Sequence, residues 1–423
     1  MAFSRNRITF NNEALFVSPS ATGYHYTGRN AIGIKTPARN TTDMAGWQCG
    51  NPFPPWNPYG TDPSYAAEHG SIIKQLKRIQ SCSYGFNTNL TDVNQYGHMS
   101  RLSSESVNEP LVNLEFSYYL LDGFNERHIG MVINGDISPL SQEASGSDGR
   151  NYFIEMVPES RDVVSGDAVI PNDQKTVVSI GNGFVTNYSA SLAVNQIPTA
   201  TVNVEAYNMT AHIGTTGIDV PSINPKNGAK ISDAWIKGSP GECKDGGSGC
   251  MNLFSLPTAS KKYDGCGDVA ALRPGDVVLQ LSNSALISKQ VDSEGVLIHG
   301  AALIESATVD FPLERSSIKR MGNQYPFTKS IDFPLTVTLT IEATLSEIKK
   351  ANLVDLLCSC DKHDLLITIY DPSCTPCDFS KRKDEDIAIQ FKFTESILES
   401  ENFSSAIEEN KSVSLKFSTQ MGG

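Results

Sequence analysis

Apolar and polar residues alternate strictly along two stretches of this chain. Val112, Leu114, Phe116 and Tyr118 interleave with Asn113, Glu115 and Ser117; Val337, Leu339 and Ile341 interleave with Thr336, Thr338, Thr340 and Glu342. A period of two, one face apolar and one polar, predicts strands of a sheet buried on one side and wet on the other. Further strands are predicted at Ala14–Val17, Tyr152–Pro158, Gly183–Leu192, Ala200–Ala206, Asp276–Leu281, Leu365–Asp371 and Lys411–Phe417. Helical spacing occurs with conviction once, over Leu345–Leu357, where Leu345, Ile348, Leu353, Leu356 and Leu357 share a side behind a capping Thr344. Each half therefore reads as mainly β, strands packed against at most one helix.

The two alternating strands belong to a longer repetition. Ile79–Leu120 and Ile304–Leu345 carry one pattern: a short strand, a polar stretch holding a glycine, a proline, then the long strand. Phe86 and Phe311 lie 225 positions apart, as do Gly97 and Gly322, while Pro110 and Pro334 lie 224 apart, so a single-residue gap aligns the two copies. Downstream, Tyr152 and Leu365 are offset by 213, and Leu192/Phe403, Val202/Val413 and Val204/Leu415 by 211. A unit of this length is a duplicated domain, not a solenoid repeat. The predicted division is a first domain over 1–209, with an N-terminal arm and a proline-rich loop at Gly50–Gly60, a Gly/Cys-rich insert or linker over 210–268, and a second domain over 269–423. At 423 residues each domain has room to bury its own core.

Charge and cysteine content narrow the function classes. With 34 basic against 47 acidic side chains, net charge −13, the chain lacks the excess of Lys and Arg that a phosphate-gripping nucleic-acid binder uses. Acidity remains compatible with a surface past which DNA slides without sticking. No apolar run approaches the roughly 20 residues of a membrane helix, and Met1–Phe10 has no apolar signal-peptide core, so neither membrane insertion nor secretion is expected. Nine cysteines are present. Cys358, Cys360, Cys374 and Cys377 flank one predicted strand and could converge on a tetrahedral metal, although free thiols or a disulfide fit the spacing as well and no firm metal site follows. Cys243, Cys250 and Cys266 sit in the Gly-rich insert, where a local cross-link is the simplest reading.

Signatures of catalysis are missing. The phosphate-cradling Gly-x-x-x-x-Gly-Lys, the zinc-binding His-Glu-x-x-His and the nucleophile elbow Gly-x-Ser-x-Gly do not occur. The histidines are scattered singly, and Lys381–Asp386 reads as a solvated turn. No catalytic residue and no cofactor is assigned, and the chain is expected not to be an enzyme.

The tandem repeat, the polar connection from Phe86 to Pro110, the closing hairpin before Val202 and the ending Ser400–Gly423 resemble tail tube proteins of long-tailed bacteriophages. That resemblance implies a β-sandwich or barrel with one flanking helix per domain, duplicated here. It implies six domains to a ring, hence a trimer of chains with pseudo-hexameric appearance, and rings stacked into a tube for genome ejection. The expected partners are further copies of the chain, the tape measure protein, the tail terminator or baseplate proteins, and phage double-stranded DNA passing without specific binding. The expected location is the virion tail, assembled in the host cytoplasm. In such a tube the polar faces of Asn113, Glu115, Asn203, Glu205, Thr338, Thr340 and Glu342 would line the lumen. The connections Asn87–Glu109 and Pro312–Phe333, long for loops inside a fold, are expected to reach neighbouring subunits or rings. Two other readings stay open: a ring adaptor of the head-tail or baseplate region, and a carbohydrate-binding β-sandwich or hydrolase using Trp47, Trp56 and Tyr59.

Overall fold

A computed structural model describes residues 13–19, 73–121, 123–131, 149–158, 161–163, 174–214, 218–219, 221–223, 253–254, 256, 259, 272, 277–282, 290–291, 297–298, 302–326, 328–345, 362–370, 387–404 and 412–421. The expected helix at Leu345–Leu357, the aromatic loop of Trp47, Trp56 and Tyr59, and every cysteine except Cys82 fall wholly or almost wholly outside these residues.

The described chain is mainly β. It opens with β1 (Glu13–Pro19), β2 (Lys74–Gln75), β3 (Ile79–Asn87), β4 (Leu90–Val93), β5 (Ser103–Ser106) and β6 (Leu111–Tyr119). The short helix α1 (Phe124–Ile129) precedes β7 (Arg150–Met156), β8 (Thr176–Ala193), β9 (Thr199–Ala206) and β10 (Asn208–Ile213). Two small pairs follow, β11 (Ile218–Asp219) with β12 (Leu253–Phe254) and β14 (Gln290–Val291) with β15 (Leu297–Ile298), and between them comes the longer β13 (Val277–Ser282). The second copy then runs β16 (Ala302–Pro312), β17 (Arg315–Ile318), β18 (Thr328–Ile331), β19 (Leu335–Leu345), β20 (His363–Tyr370), β21 (Ile387–Ser404) and β22 (Ser412–Met421).

Pairing makes the duplication explicit. In the first unit the order is β3-β6-β9-β8-β7-β1, and in the second β16-β19-β22-β21-β20-β13, all antiparallel. β1 and β13, a weak match in sequence, thus hold equivalent places. Bulges mark equivalent points: between Ile79 and Ser81 and between Ile304 and Ser306; between Arg150 and Tyr152 and between His363 and Leu365; between Val185 and Asn187 and between Leu398 and Ser400.

These bulges correct the sequence alignment. β3 and β6 map onto β16 and β19 at 225 throughout, so no gap occurs at Pro110 and Pro334, and Val112 answers Val337. β7, β8 and β9 map onto β20, β21 and β22 at 213, so Val202 answers Leu415 and Ala190 answers Phe403, replacing the offset of 211. At the prolines the pleat forces the choice, because a one-residue slip turns every buried side chain to the wet face. Across the closing hairpin the slip is two residues and keeps the faces, so the bulges at Val185–Asn187 and Leu398–Ser400 fix the offset instead.

The long strands β8 and β21 bend from one layer into another. The N-terminal half of β8 pairs with β7 and β10, and its C-terminal half pairs with β9. At the switch Asn182 has φ 58, and the equivalent Glu395 in β21 has φ 53. A left-handed residue beside a bulge adds twist, which lets one strand leave a sheet and enter the next. The smaller layers lie over the inner face of the larger one: Phe116 meets Tyr152 at 6.0 Å, Phe311 meets Phe391 at 6.2 Å and His363 meets Phe417 at 5.8 Å between ring centres.

One core runs through both units. A single buried cluster takes in Phe116, Tyr188, Phe311, Leu339 and Phe417, although chain length leaves room for a core in each unit. A satellite cluster buries Phe16, Phe153 and Val177 with Ile218, Leu256 and Ala259 on the far side of β1 and β7. Beneath the first unit, Glu126 of α1 accepts hydrogen bonds from the Tyr118 hydroxyl at 2.8 Å and the Tyr188 hydroxyl at 3.2 Å. Asn125 brackets Lys77, accepting from its backbone N–H at 2.9 Å and donating to its carbonyl at 2.8 Å. These bonds satisfy buried polar groups that would otherwise destabilise the helix–sheet contact.

Glutamate is a poor occupant of the left-handed region, where asparagine is better tolerated. Glu395→Asn should therefore raise unfolding free energy by about 0.5 kcal/mol, read from the urea midpoint at unchanged m-value.

Candidate functional site

The two units join by strand pairing. The C-terminal half of β8 accepts β16 on its open side, with Phe311 opposite Tyr188, Asp310 opposite Ser189, Val309 opposite Ala190 and Thr308 opposite Ser191. Backbone bonds from Val194 N–H to the Glu305 carbonyl and from Leu313 N–H to the Thr186 carbonyl, each 2.8 Å, extend the seam at both ends. The result is one eight-stranded sheet, β3-β6-β9-β8-β16-β19-β22-β21, counting only the C-terminal halves of β8 and β21.

Its inner face is apolar, and Tyr188 and Phe311 pack across the seam at 5.9 Å. The outer face is polar across the whole sheet. One row reads Ser81, Ser117, Thr201, Ser189, Asp310, Thr338 and Ser418 across β3, β6, β9, β8, β16, β19 and β22. Beside the equivalent bulges, the Ser81 and Ser117 hydroxyls share a 2.6 Å hydrogen bond and the Ser306 hydroxyl donates to Glu342 at 2.9 Å.

All seven residues expected to line a lumen lie on this outer face. Asn113 stands opposite Glu205 and Glu115 opposite Asn203, while Thr338, Thr340 and Glu342 stand opposite Ser418, Lys416 and Ser414. The intervening strands separate the two groups. Ser189, Ser191, Thr308 and Asp310, absent from the expected set, fill that interval. Their signal was available, because Ser306, Thr308 and Asp310 alternate with Ala307, Val309 and Phe311. Glu205 is not a free lining group: Lys329 on β18 holds its carboxylate at 3.1 Å.

That ion pair belongs to a clasp. The second long connection is a hairpin, β17 with β18, and its base lies on the first unit. Arg315 sits 5.3 Å over the Phe184 ring and donates to the Val185 carbonyl at 3.2 Å; Lys329 sits 5.2 Å over Tyr207; Tyr325 meets Tyr207 at 5.9 Å. Lys319 pairs with Glu109 at 2.6 Å. Partly desolvated cations over aromatic rings contribute roughly 1–2 kcal/mol each. The first connection is likewise a hairpin, β4 with β5, with turns at Gly97 (φ 86) and Gly322 (φ 81) in the two copies. Its Leu90, Tyr96, Met99 and Leu102 are exposed.

Nothing described here resembles a reaction centre. Among the described residues no three His, Cys, Asp or Glu side chains gather closely enough to hold a metal ion. Cys358, Cys360, Cys374 and Cys377 lie outside them. Burial, with Glu13 nearby, pushes the Cys82 thiol up to about 12, which leaves it a poor nucleophile at neutral pH.

No protein-family model matches the chain, and no curated protein does. Among solved structures, a chain of the anti-feeding prophage (AFP) baseplate, 6-fold symmetrised, is similar over 33% of this chain and 83% of that one, at 12% identity and a TM-score of 0.20. So loose a likeness assigns no function.

The clasp separates equivalent positions energetically. Phe184 is buried under Arg315, whereas its counterpart Ile397 faces solvent. Phe184→Ala should cost about 3 kcal/mol in the isolated chain, and Ile397→Ala less than about 0.5 kcal/mol. Urea unfolding of both variants at low protein concentration measures the contrast.

Proposed function

We propose that this chain is a structural virion protein whose copies join edge to edge into rings of three, stacked as a tail tube through which DNA is ejected. The pairing of β8 with β16 carries the proposal. It joins two like units through unlike edges, the outer edge of one unit's long bent strand against the first strand of the next. The assembled sheet then ends in one edge of each kind, β3 at one side and the C-terminal half of β21 at the other. A contact between unlike edges is heterologous, and repeating it from chain to chain closes a ring or runs on as a filament. Unpaired edges of this length are otherwise a liability that proteins cover.

Closure would turn the polar face into the wall of a bore. Hydroxyls dominate it, with Glu115, Asp310 and Glu342 supplying negative charge. Duplex DNA carries one charge per ~1.7 Å of axis, so such a wall repels phosphate instead of gripping it. The exposed Tyr96, Met99 and Met321 at the hairpin turns would meet the next ring.

Native mass measurement of an isolated ring should give three chains; six chains would contradict the proposal. Particles that stop at a single ring would mark an adaptor in place of a tube. Deleting Asp92–Ser103, the body of the first hairpin, should leave a folded monomer that forms no tubes, checked by circular dichroism and negative-stain microscopy. Glu115→Lys combined with Glu342→Lys reverses two charges per chain. Tubes should still form, but virions built from them should eject DNA more slowly, and more so at low salt, where screening is weaker. Unchanged ejection kinetics would place these carboxylates outside the bore.

A further inference from the structure

The seam inside the chain has a definite register, and the duplication carries that register to the chain's free edges. Moving β16 back by 225 and β8 forward by 213 sets Phe86 against Glu401, Gly85 against Asn402 and Tyr84 against Phe403. The same shifts take Arg315, seated on Phe184, to Leu90 and Ile397.

Exposure of these residues matches a missing neighbour. At the internal seam Phe311 is 3% exposed and Ala190 0%, while their counterparts Phe86 and Phe403 are 65% and 49% exposed. Leu90 and Ile397 are 59% and 57% exposed. The edge of β3 with the start of β4, and the edge of β21, thus each present an exposed aromatic and an exposed aliphatic side chain at positions whose counterparts pack at the internal seam. Where the internal seam is clasped by a cation over a ring, the free edges offer two aliphatic side chains suited to each other.

We infer that the chain-to-chain interface is a second copy of the internal seam, with Phe86 of one chain opposite Glu401 of the next and Leu90 seated on Ile397. This rests on the ring assembly proposed above and fixes its interface residue by residue. One inner difference between the two seams introduces a charge. Tyr188, fully buried and donating to Glu126, is replaced by Glu401, opposite Leu415 on β22, and burial already holds the Glu401 carboxyl above the ordinary carboxylate range. Closing the seam covers that carboxylate with Phe86, a desolvation the internal seam does not incur. Chains therefore associate less readily than the tethered units do.

Gly85→Cys with Asn402→Cys, assembled and then oxidised, tests the register. A Cβ at Gly85 meets no atom within 4 Å, so the substitution fits the folded chain. The two positions lie at opposite ends of an eight-stranded sheet, seven spacings of about 4.8 Å apart, so a bond between them must join two chains. Peptide mass spectrometry should find the 85–402 disulfide and denaturing gels should show covalent trimers. Gly85→Cys with Ser404→Cys, two residues out of register, should not bridge. Rings that form normally but bridge only in the second pair, or in neither, overturn the register while leaving ring assembly intact; a chain that stays monomeric at all concentrations overturns assembly itself. Glu401→Gln should trimerise at several-fold lower concentration than the unsubstituted chain. An unchanged threshold would place Glu401 outside the seam and overturn the register.

Discussion

Backbone hydrogen bonds between the C-terminal half of β8 and β16 turn two sandwiches into one eight-stranded sheet, and the rest of the molecule is organised around that pairing. It merges the apolar interiors, so that Tyr188 and Phe311 pack across the junction and a single core serves both units. It aligns the polar residues of both units on one outer face. It also leaves an unlike pair of edges, because consuming one edge of each kind inside the chain preserves one of each outside.

The bent strands make this possible. β8 and β21 each serve two layers, so the large sheet and its covering sheet are covalently continuous and cannot slide past each other. The bend survives sequence divergence: Gly181-Asn182-Gly183 in one copy answers Thr394-Glu395-Ser396 in the other, with the same left-handed central residue and a bulge at the same place. Backbone geometry has been retained where side chains have not. The clasps show the complementary divergence. Arg315 and Lys329 press on Phe184 and Tyr207 within the chain, while at the equivalent positions Leu90 and Ile397 face water.

Much of this was legible from residue order. Strict alternation in Val112–Tyr118 and Val337–Ile341 identified the central strands and their polar face, and the repeated Phe and Gly of the first connection revealed the duplication. Alignment by resemblance failed at Pro110 with Pro334, where residues that look alike face opposite ways, and across the closing hairpin, where Val202 and Val413 share the buried face but stand two residues out of register. Bulges were invisible because an inserted residue has no distinctive side chain; Thr186 and Glu399 occupy equivalent bulges and share nothing but the backbone. The seam was illegible for a different reason. Pairing of β16 with β8 depends on edges separated by more than a hundred residues, and no local pattern encodes which of several half-buried strands will meet. The role of Lys329 in restraining Glu205 likewise depends on a hairpin folding back onto another unit.

A backbone-resolution reconstruction of the assembled protein tests the central claim most directly. The account requires an uninterrupted sheet in which β3 of each chain lies antiparallel beside the C-terminal half of the next chain's β21, repeating the geometry of β8 and β16. An assembly in which β3 pairs with another copy of β3, or in which both edges stay open while other surfaces make the contact, would contradict it.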